Sequence, residues 1–334
     1  MADKHGPLYS LKLGAHRVLV VSSWEIAKDC FTTNDLTLAT RASIAAGRHM
    51  GYNNAIFALA PYGEYWRDIR KMVTVELLSS HRLEKLKHIR FSEMDLFIKE
   101  LYGLCLRNGA DGENSAKVPM SEALERLTFN VNLMMLVGKR FSGDDYSEVN
   151  SEPWRYERAI KQALYLSGIF ILADALPYLE CLDVQGHIRS MKKTAKEIDS
   201  VISVWLEEHL DKKRQNHATS ESDFMDVMLS HLPEDTVISG HTRDTIVKAT
   251  TLILTLTGGE STSVTITWIL SVLLNHPNVL KAAQEELDHH VGQERTADGM
   301  AVDMEEGLGL ALPKLNPLDV VLNPRLRPEL YNCL

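Results

Sequence analysis

The feature that most constrains the fold is a long apolar stretch at residues 250–276, which a short polar segment interrupts. Apolar and β-branched residues occur on all sides of the predicted helix, which is typical of a helix surrounded by protein. The interruption is Gly258–Ser263, where two glycines weaken the helical hydrogen bonds beside Glu260 and three hydroxyls. A membrane span is the competing interpretation. It requires about 18 or more consecutive apolar residues, and Glu260 divides this stretch into two shorter runs, so we expect a buried helix.

The polar segment Gly258–Ser263 has a chemical and a structural interpretation. A loosened helix with an acid beside an alcohol can hold water and relay protons to a molecule bound alongside it. Ser and Thr side chains also commonly bond back to helix carbonyls, so the same segment can be a packing kink without chemistry. The choice between the two depends on other segments of the chain.

Trp66 and Arg70 are four residues apart, so they share one face of a helix that is predicted to begin near Gly63. An indole N–H and a guanidinium on one face could bind an anionic group such as a carboxylate. The alternative is a solvated basic face with one packed tryptophan.

Together with other segments, these two motifs resemble the plant cytochromes P-450, which are heme-thiolate monooxygenases. The further segments are residues 168–193, Trp24–Lys28 and Val137–Phe141. The resemblance covers nearly the whole chain and is closest to the subgroup that oxidises alkaloids, terpenoids and related specialised metabolites. It implies a mainly α fold with a small β region, in which residues 250–276 form the long central helix.

The resemblance also implies a heme cofactor and specific residue roles. Trp66 and Arg70 would bind a heme propionate. Glu260 and Ser261 would deliver protons to iron-bound oxygen, with Thr262 as the alternative alcohol. The family usually has Thr where this chain has Ser261, a change that keeps the hydroxyl. The implied partners are an NADPH-dependent reductase and a small lipophilic substrate.

The heme-thiolate loop of the family is missing from this sequence. That loop has the pattern Phe-x-x-Gly-x-Arg-x-Cys-x-Gly, in which backbone amides tune the sulfur that binds iron. The four cysteines of the chain have neither Arg two residues before them nor Gly two residues after them: Cys30, Cys105, Cys181 and Cys333. We therefore expect no metal ligand and no catalysis in the chain as written.

The domain prediction is one incomplete cytochrome P-450 domain over residues 1–334. The family's Glu-x-x-Arg pair is missing after the central helix, and the resemblance stops near residue 295 and resumes near residue 302. Residues 1–295 would be the N-terminal and central part, and residues 302–334 the extreme C-terminal part, joined after an internal deletion. From the resemblance we expect the chain to lack the hydrophobic membrane anchor of plant relatives, and we expect no signal peptide. We expect a cytoplasmic chain, whereas its relatives lie at the cytoplasmic face of the endoplasmic reticulum.

Composition excludes several other classes of protein. The chain has 36 Lys and Arg against 45 Asp and Glu, and this net charge of −9 argues against a nucleic-acid surface. Four irregularly spaced cysteines fit a reducing compartment and indicate neither a disulfide framework nor a zinc site.

The secondary-structure prediction is a small β region followed by helices. Alternation at Tyr9–Leu13 and Val18–Val21, with a turn between them, indicates an antiparallel hairpin. Loops are predicted at residues 108–117 and 142–153, and a polar link at residues 215–223. Helices are predicted near Ser23–Thr32, Gly63–Leu78, Leu83–Leu106, Met120–Gly138, Trp154–Ala173, Gly186–Lys213, Phe224–His231, residues 250–276 and residues 280–292.

Three functional hypotheses follow from the sequence. The first is an oxidoreductase by descent, whose intact relatives insert one oxygen atom into a lipophilic molecule. The second is a heme-free lipophile-binding or interaction protein. The third is a splice product or gene-model fragment that does not fold stably.

Overall fold

The computed structural model describes residues 1–108, 116–141, 151–215, 223–291, 316 and 318–322. Two compact units are present: Met1–Ser79 with Asp144–Ile253, and Ser80–Gly143 with Leu254–Leu334. The predicted junction near residues 296–301 and Cys333 lie outside the described residues. Among the residues that are described, no helix combines the length and the apolar character that crossing a bilayer requires.

Helices form most of the described structure, as the predicted mainly α class requires. The helices, in chain order, are α1 Ala2–His5, α2 Trp24–Phe31, α3 Asp35–Leu38, α4 Ala45–His49, α5 Glu64–Met72, α6 Ser80–Lys85, α7 Lys87–Asn108, α8 Met120–Val137, α9 Glu152–Gly168, α10 Leu172–Ala175, α11 His187–Arg214, α12 Phe224–His231, α13 Arg243–Gly258, α14 Glu260–Asn275 and α15 Pro277–Val291. A π-helical turn, Val73–Leu77, continues α5, and a 3₁₀ helix, Pro177–Leu182, follows α10.

The described strands form three small antiparallel pairs. These are β1 Leu8–Leu13 with β2 His16–Val21, β3 Ala116–Pro119 with β6 Asp319–Leu322, and β4 Val237–Ile238 with β5 His241–Thr242. The predicted N-terminal hairpin is confirmed, with Leu8 opposite Val21 and Leu13 opposite His16. Its turn requires Gly14, because φ there is +58° and a Cβ would overlap the carbonyl of Ala175.

In the first unit, α11 packs along α9 through an apolar stripe. Met191, Ile198 and Ile202 are fully buried on α11 at spacings of seven and four residues, which is the period of one helix face. Trp205 extends this stripe and packs edge-on against Tyr156 of α9, with ring centroids 4.6 Å apart. Such an aromatic pair contributes about 0.5–1.5 kcal/mol beyond the burial of its area.

In the second unit, α8 packs against α7 and α14, and the β3–β6 pair lies at its start. Leu318 donates its backbone N–H to Ser121 Oγ at 2.8 Å, although the two residues are 197 positions apart. Leu318 is buried with Val118, Leu124 and Cys105 in one apolar cluster. The pairing with β6 makes residues 116–119 a strand, although the sequence predicted a loop over 108–117.

Several predicted helices are shorter or divided in the structure. The predicted helix Leu83–Leu106 is interrupted between α6 and α7, where Leu86 is buried. The predicted helix Trp154–Ala173 ends at Gly168, after which Ile169 has extended backbone angles and α10 begins separately. Apolar periodicity continues across such breaks, so it does not locate them.

Candidate functional site

The central helix is divided at Gly259, within the polar segment that the sequence singled out. The helix α13 ends at Gly258 and α14 begins at Glu260, with Gly259 at its N-cap position. The half of the central helix that precedes the break is α13. Most of it is buried, with Ile246, Val247 and Ala249 fully shielded from solvent. The predicted acid and alcohols therefore occupy the first turn of α14.

The hydroxyl groups of this turn bond to carbonyls of their own helix. Ser261 Oγ donates to the carbonyl of Thr257 at 2.7 Å, and Thr262 Oγ1 donates to that of Gly258 at 3.2 Å. Ser263 Oγ donates to the carbonyl of Glu260 at 2.9 Å. These are the bonds from Ser and Thr hydroxyls to carbonyls of the same helix that the alternative interpretation, a packing kink, predicted. Each hydroxyl oxygen retains lone pairs that can accept a further hydrogen bond. The side chains of Ser261 and Thr262 are exposed and that of Glu260 is partly buried.

Asn132 of α8 contacts the central helix beside the break, and the sequence did not single it out. Its Nδ2 donates to the carbonyls of Leu254 at 3.1 Å and Thr255 at 3.2 Å. The amide also lies against Gly258, where a Cβ would be 2.9 Å from Asn132 Oδ1. A glycine at position 258 therefore leaves room for the asparagine. Asn130 is a second amide two residues earlier and bonds to Phe141 instead, so residue type alone does not identify the Asn132 contact.

Trp66 and Arg70 lie together on α5, as their spacing predicted. The Arg70 guanidinium lies 4.7 Å from the centroid of the Trp66 ring, which is a cation–π distance. Arg41 lies over the same ring at 5.3 Å, and sequence spacing could not show this because Arg41 belongs to another segment. Arg70 is exposed and makes no ion pair or hydrogen bond within the described part of the chain. Arg41, Trp66 and Arg70 thus form a basic–aromatic cluster that can receive an anion.

The predicted site residues are divided between the two compact units. Trp66 and Arg70 belong to the first unit, and Glu260, Ser261 and Thr262 belong to the second. Within each unit, the structure brings the predicted neighbours together.

The described cysteines lie in helices, whereas the resemblance implies a heme thiolate in a loop. Cys30, Cys105 and Cys181 each lie inside a helix, where most backbone amides are used in the helix's own hydrogen bonds. Burial raises the pKa of the Cys105 thiol, which donates to the carbonyl of Leu322 at 3.5 Å. Cys105 is therefore a protonated core residue, whereas an iron ligand is a thiolate that accepts hydrogen bonds from amides.

A buried proton-binding cluster lies between α11 and α12. His209 is 1% exposed, and its Nδ1 lies 2.6 Å from the carbonyl of Trp205. Its Nε2 lies 2.8 Å from Asp223 Oδ2. A carbonyl only accepts, so Nδ1 must donate, and the Nε2 contact then requires a second proton. Burial lowers the pKa of His209, but the hydrogen bond to Asp223 and its charge outweigh this and raise the pKa above its ordinary value. Burial and Asp223 also raise the pKa of the nearby Asp226 carboxyl.

The fold belongs to a mainly α class, and solved cytochromes P450 match it. A zebra fish cytochrome P450 with progesterone matches with a TM-score of 0.68 at 22% identity, over 89% of this chain and 64% of that chain. A second zebra fish structure, with abiraterone, matches with a TM-score of 0.61 at 22% identity. Its match covers 89% of this chain and 62% of that chain. At this identity the likeness establishes the fold alone.

The family model described as cytochrome P450 matches residues 1–305. The chain therefore belongs to the cytochrome P450 family, and the predicted membership and fold class are confirmed. A dimethylnonatriene synthase of Arabidopsis thaliana is 52% identical over 88% of this chain. A flavonoid-6-hydroxylase of Ocimum basilicum is 46% identical over 88%, and a xanthotoxin 5-hydroxylase of Arabidopsis thaliana is 41% identical over 97%.

The chain is shorter than these curated relatives. It covers 55% of the dimethylnonatriene synthase, 55% of the flavonoid-6-hydroxylase and 63% of the xanthotoxin 5-hydroxylase. All three relatives are plant proteins, in agreement with the plant subgroup that the sequence motifs resemble.

Proposed function

We propose that this chain is a cytochrome P450 chain that retains proton-transfer and anion-binding elements of a monooxygenase but does not catalyse monooxygenation by itself. The observation that carries the proposal is the setting of its cysteines. Three lie inside helices, the buried Cys105 is protonated, and the sequence around Cys333 lacks the family's ligand pattern. Without an axial thiolate, the chain lacks the electron donation that supports O–O cleavage.

The basic–aromatic cluster is the proposed anion-binding element. Trp66 and Arg70 would bind a propionate, and the position of Arg41 over Trp66 supports its inclusion. Charge-assisted hydrogen bonds contribute about 1.5–3 kcal/mol each. Two such bonds correspond to weak association, which does not replace a covalent metal–sulfur bond. We therefore expect any porphyrin contact through this cluster to be weak and to depend on salt.

The first turn of α14 is the proposed proton-transfer element. Glu260 and Ser261 are assigned to it, with Thr262 as the alternative alcohol. The position of these side chains in one turn beside the helix break supports the assignment. To pass a proton to a ligand, each hydroxyl would exchange its helix carbonyl for the ligand as acceptor. An intact relative would pair this element with an NADPH-dependent reductase and a small lipophilic plant metabolite, the class that the names of the relatives suggest.

A reduced carbon-monoxide difference spectrum tests the proposal. The chain is expressed with added hemin, and the dimethylnonatriene synthase relative is prepared in parallel as the positive control. We expect the relative to show the red-shifted Soret band of thiolate-ligated heme and this chain to lack it. If this chain shows the band, and Cys30→Ala, Cys105→Ala, Cys181→Ala or Cys333→Ala abolishes it, the proposal is wrong.

A heme-free interaction protein is the second candidate, and exposed apolar side chains favour it. Ile269 and Val272 of α14 are 52% and 44% exposed and lie three residues apart, so they share one helix face. Exposed apolar surface of this kind favours association with a partner. Gel filtration and thermal melting with and without hemin test this candidate. A monodisperse chain with a cooperative melt that hemin does not shift supports it, whereas aggregated material supports the unstable fragment instead.

The single incomplete domain is also part of the proposal. In it, residues 1–295 and 302–334 are joined after an internal deletion. The β3–β6 pair supports this arrangement, because residues 319–322 complete a sheet with residues 116–119. Transcript sequencing across residues 295–302 tests it, and reads that run through an additional coding segment would contradict it.

A further inference from the structure

A cavity of about 540 Å³ lies between α9 and α11 in the first compact unit, and its lining includes no residue of the basic–aromatic cluster. Its volume is within the range of small-molecule sites, about 300–1,000 Å³, and far exceeds that of one ion. The wall on α9 includes Trp154, Arg158 and Gln162, and the wall on α11 includes Ser190, Lys193 and Thr194.

The acidic side chain in this cavity already has a cationic partner. Glu197 forms an ion pair with Arg155 at 3.1 Å, and Arg155 also donates to Ser200 Oγ at 3.1 Å. Arg158 and Lys193, on opposite walls, make no ion pair or hydrogen bond with the described residues. The Arg158 guanidinium instead lies 5.1 Å from the centroid of the Trp154 ring. The cavity therefore keeps an excess of positive charge.

The neutral polar side chains of the cavity also lack partners within the described structure. Thr194 is 5% exposed, and its hydroxyl does not bond back to the preceding helical turn. The hydroxyls of Thr128, Ser167 and Ser271 all do so in other helices. Ser190 and Gln162 likewise make no hydrogen bond with a described residue. Ser190 and Gln162 are partly exposed, so all three side chains leave donors that a ligand in the cavity can use without a change of fold.

The arrangement of donors selects the chemistry of the ligand. Two cations, two hydroxyls and one amide surround one space, which suits a group with several acceptor oxygens and more than one negative charge. A phosphate monoester has three such oxygens, whereas a carboxylate has two. The ring of Trp154, the methyl group of Ala159 and the methylene groups of Lys193 provide an apolar wall for an organic body.

We propose that the α9–α11 cavity binds the phosphate monoester of an organic molecule, with Arg158 and Lys193 contacting the phosphate from opposite walls. This site is independent of heme, of the cysteines and of the monooxygenase question. The phosphate could belong to a soluble metabolite or to a lipid headgroup, and the experiment separates these two sources.

Isothermal titration of the purified chain with 1-naphthyl phosphate tests the proposal, with 1-naphthol and inorganic phosphate as probes of each half of the ligand. Vesicles of phosphatidic acid and of phosphatidylcholine form the lipid arm. The variants are Lys193→Met and Arg158→Gln. The control is Lys212→Met, which removes an exposed lysine about 28 Å farther along the same helix.

We expect saturable binding of 1-naphthyl phosphate that weakens about ten-fold or more in Lys193→Met and in Arg158→Gln, and by less than about two-fold in Lys212→Met. Binding only to phosphatidic acid vesicles, with the same dependence on Lys193, would assign the phosphate to a lipid. The proposal fails if neither phosphate source binds, if 1-naphthol binds as tightly as its phosphate, or if Lys212→Met weakens binding as much as Lys193→Met.

Discussion

Replacing Gly258 with Ala tests whether α8 fixes the break in the central helix. A Cβ at this position would lie 2.9 Å from Asn132 Oδ1 and 3.0 Å from Asn132 Nδ2. Real Cβ atoms essentially never approach other heavy atoms at 2.9 Å, so the amide must move. We expect that movement to break its hydrogen bonds to the carbonyls of Leu254 and Thr255, which hold the amide in place.

The expected net effect is a destabilisation of about 1 kcal/mol. Each lost hydrogen bond costs about 1 kcal/mol, and two are lost. Replacing Gly with Ala in a helix recovers about 1 kcal/mol. Gly259 is the matched control, because its φ is −90° and a Cβ there would lie 3.8 Å from its nearest neighbours in Phe129. We expect Gly259→Ala to stabilise the chain by about 0.4–1 kcal/mol.

Urea unfolding followed by circular dichroism measures both variants, and a double-mutant cycle with Asn132→Ala isolates the contact. In the Asn132→Ala background there is no amide to displace, so Gly258→Ala should become stabilising, with a coupling energy of about 2 kcal/mol between the two sites. The reasoning is refuted if both glycine variants shift the unfolding free energy in the same direction, or if the cycle shows no coupling.

Three further predictions concern buried polar contacts. His209→Gln should destabilise the chain most at pH below 6.5, because the raised pKa of His209 provides stability that is lost as pH rises through its folded value. Denaturant melts from pH 5.5 to 8 measure the change in unfolding free energy. A constant difference between variant and parent across this range would contradict the prediction. Trp205→Phe removes the 2.8 Å hydrogen bond to Glu152 and part of a fully buried side chain, so we expect a loss of about 2–3 kcal/mol in urea unfolding. Ser121→Ala removes the acceptor for Leu318 N–H, and hydrogen exchange at Leu318 should then become faster while exchange in α11 stays unchanged.

The predicted elements differ in how well the sequence defined them. The hairpin from Leu8 to Val21 was predictable because alternation and its turn are local patterns. The bounds of α12 agreed with the prediction for the same reason, since Asp223 caps its first turn by accepting from Asp226 N–H. The strand β3 was missed because its partner β6 is about 200 residues away in the chain, and no local pattern of a four-residue segment records such a partner.

In the candidate site, too, contacts within one segment were predictable and contacts between segments were not. Trp66 and Arg70 were paired by helical spacing alone, and Glu260 with Ser261 by adjacency. Arg41 and Asn132 could not be assigned, because each contacts its partner from a different segment. The cavity between α9 and α11 was unpredicted because a free donor is recognised only once the neighbouring helix is placed.

By itself, the sequence determined the family, the helical periods, the hairpin and the absence of a heme-thiolate motif among its cysteines. These are properties of residue type and of spacing within a few turns, where backbone geometry sets which side chains are neighbours. The tertiary structure decided which side chains meet across elements: Asn132 against the broken helix, Leu318 beside Ser121, and Arg158 of α9 with Lys193 of α11 around one cavity. Such contacts form only when packing brings together segments that are far apart in the chain, and spacing along the chain does not specify that packing.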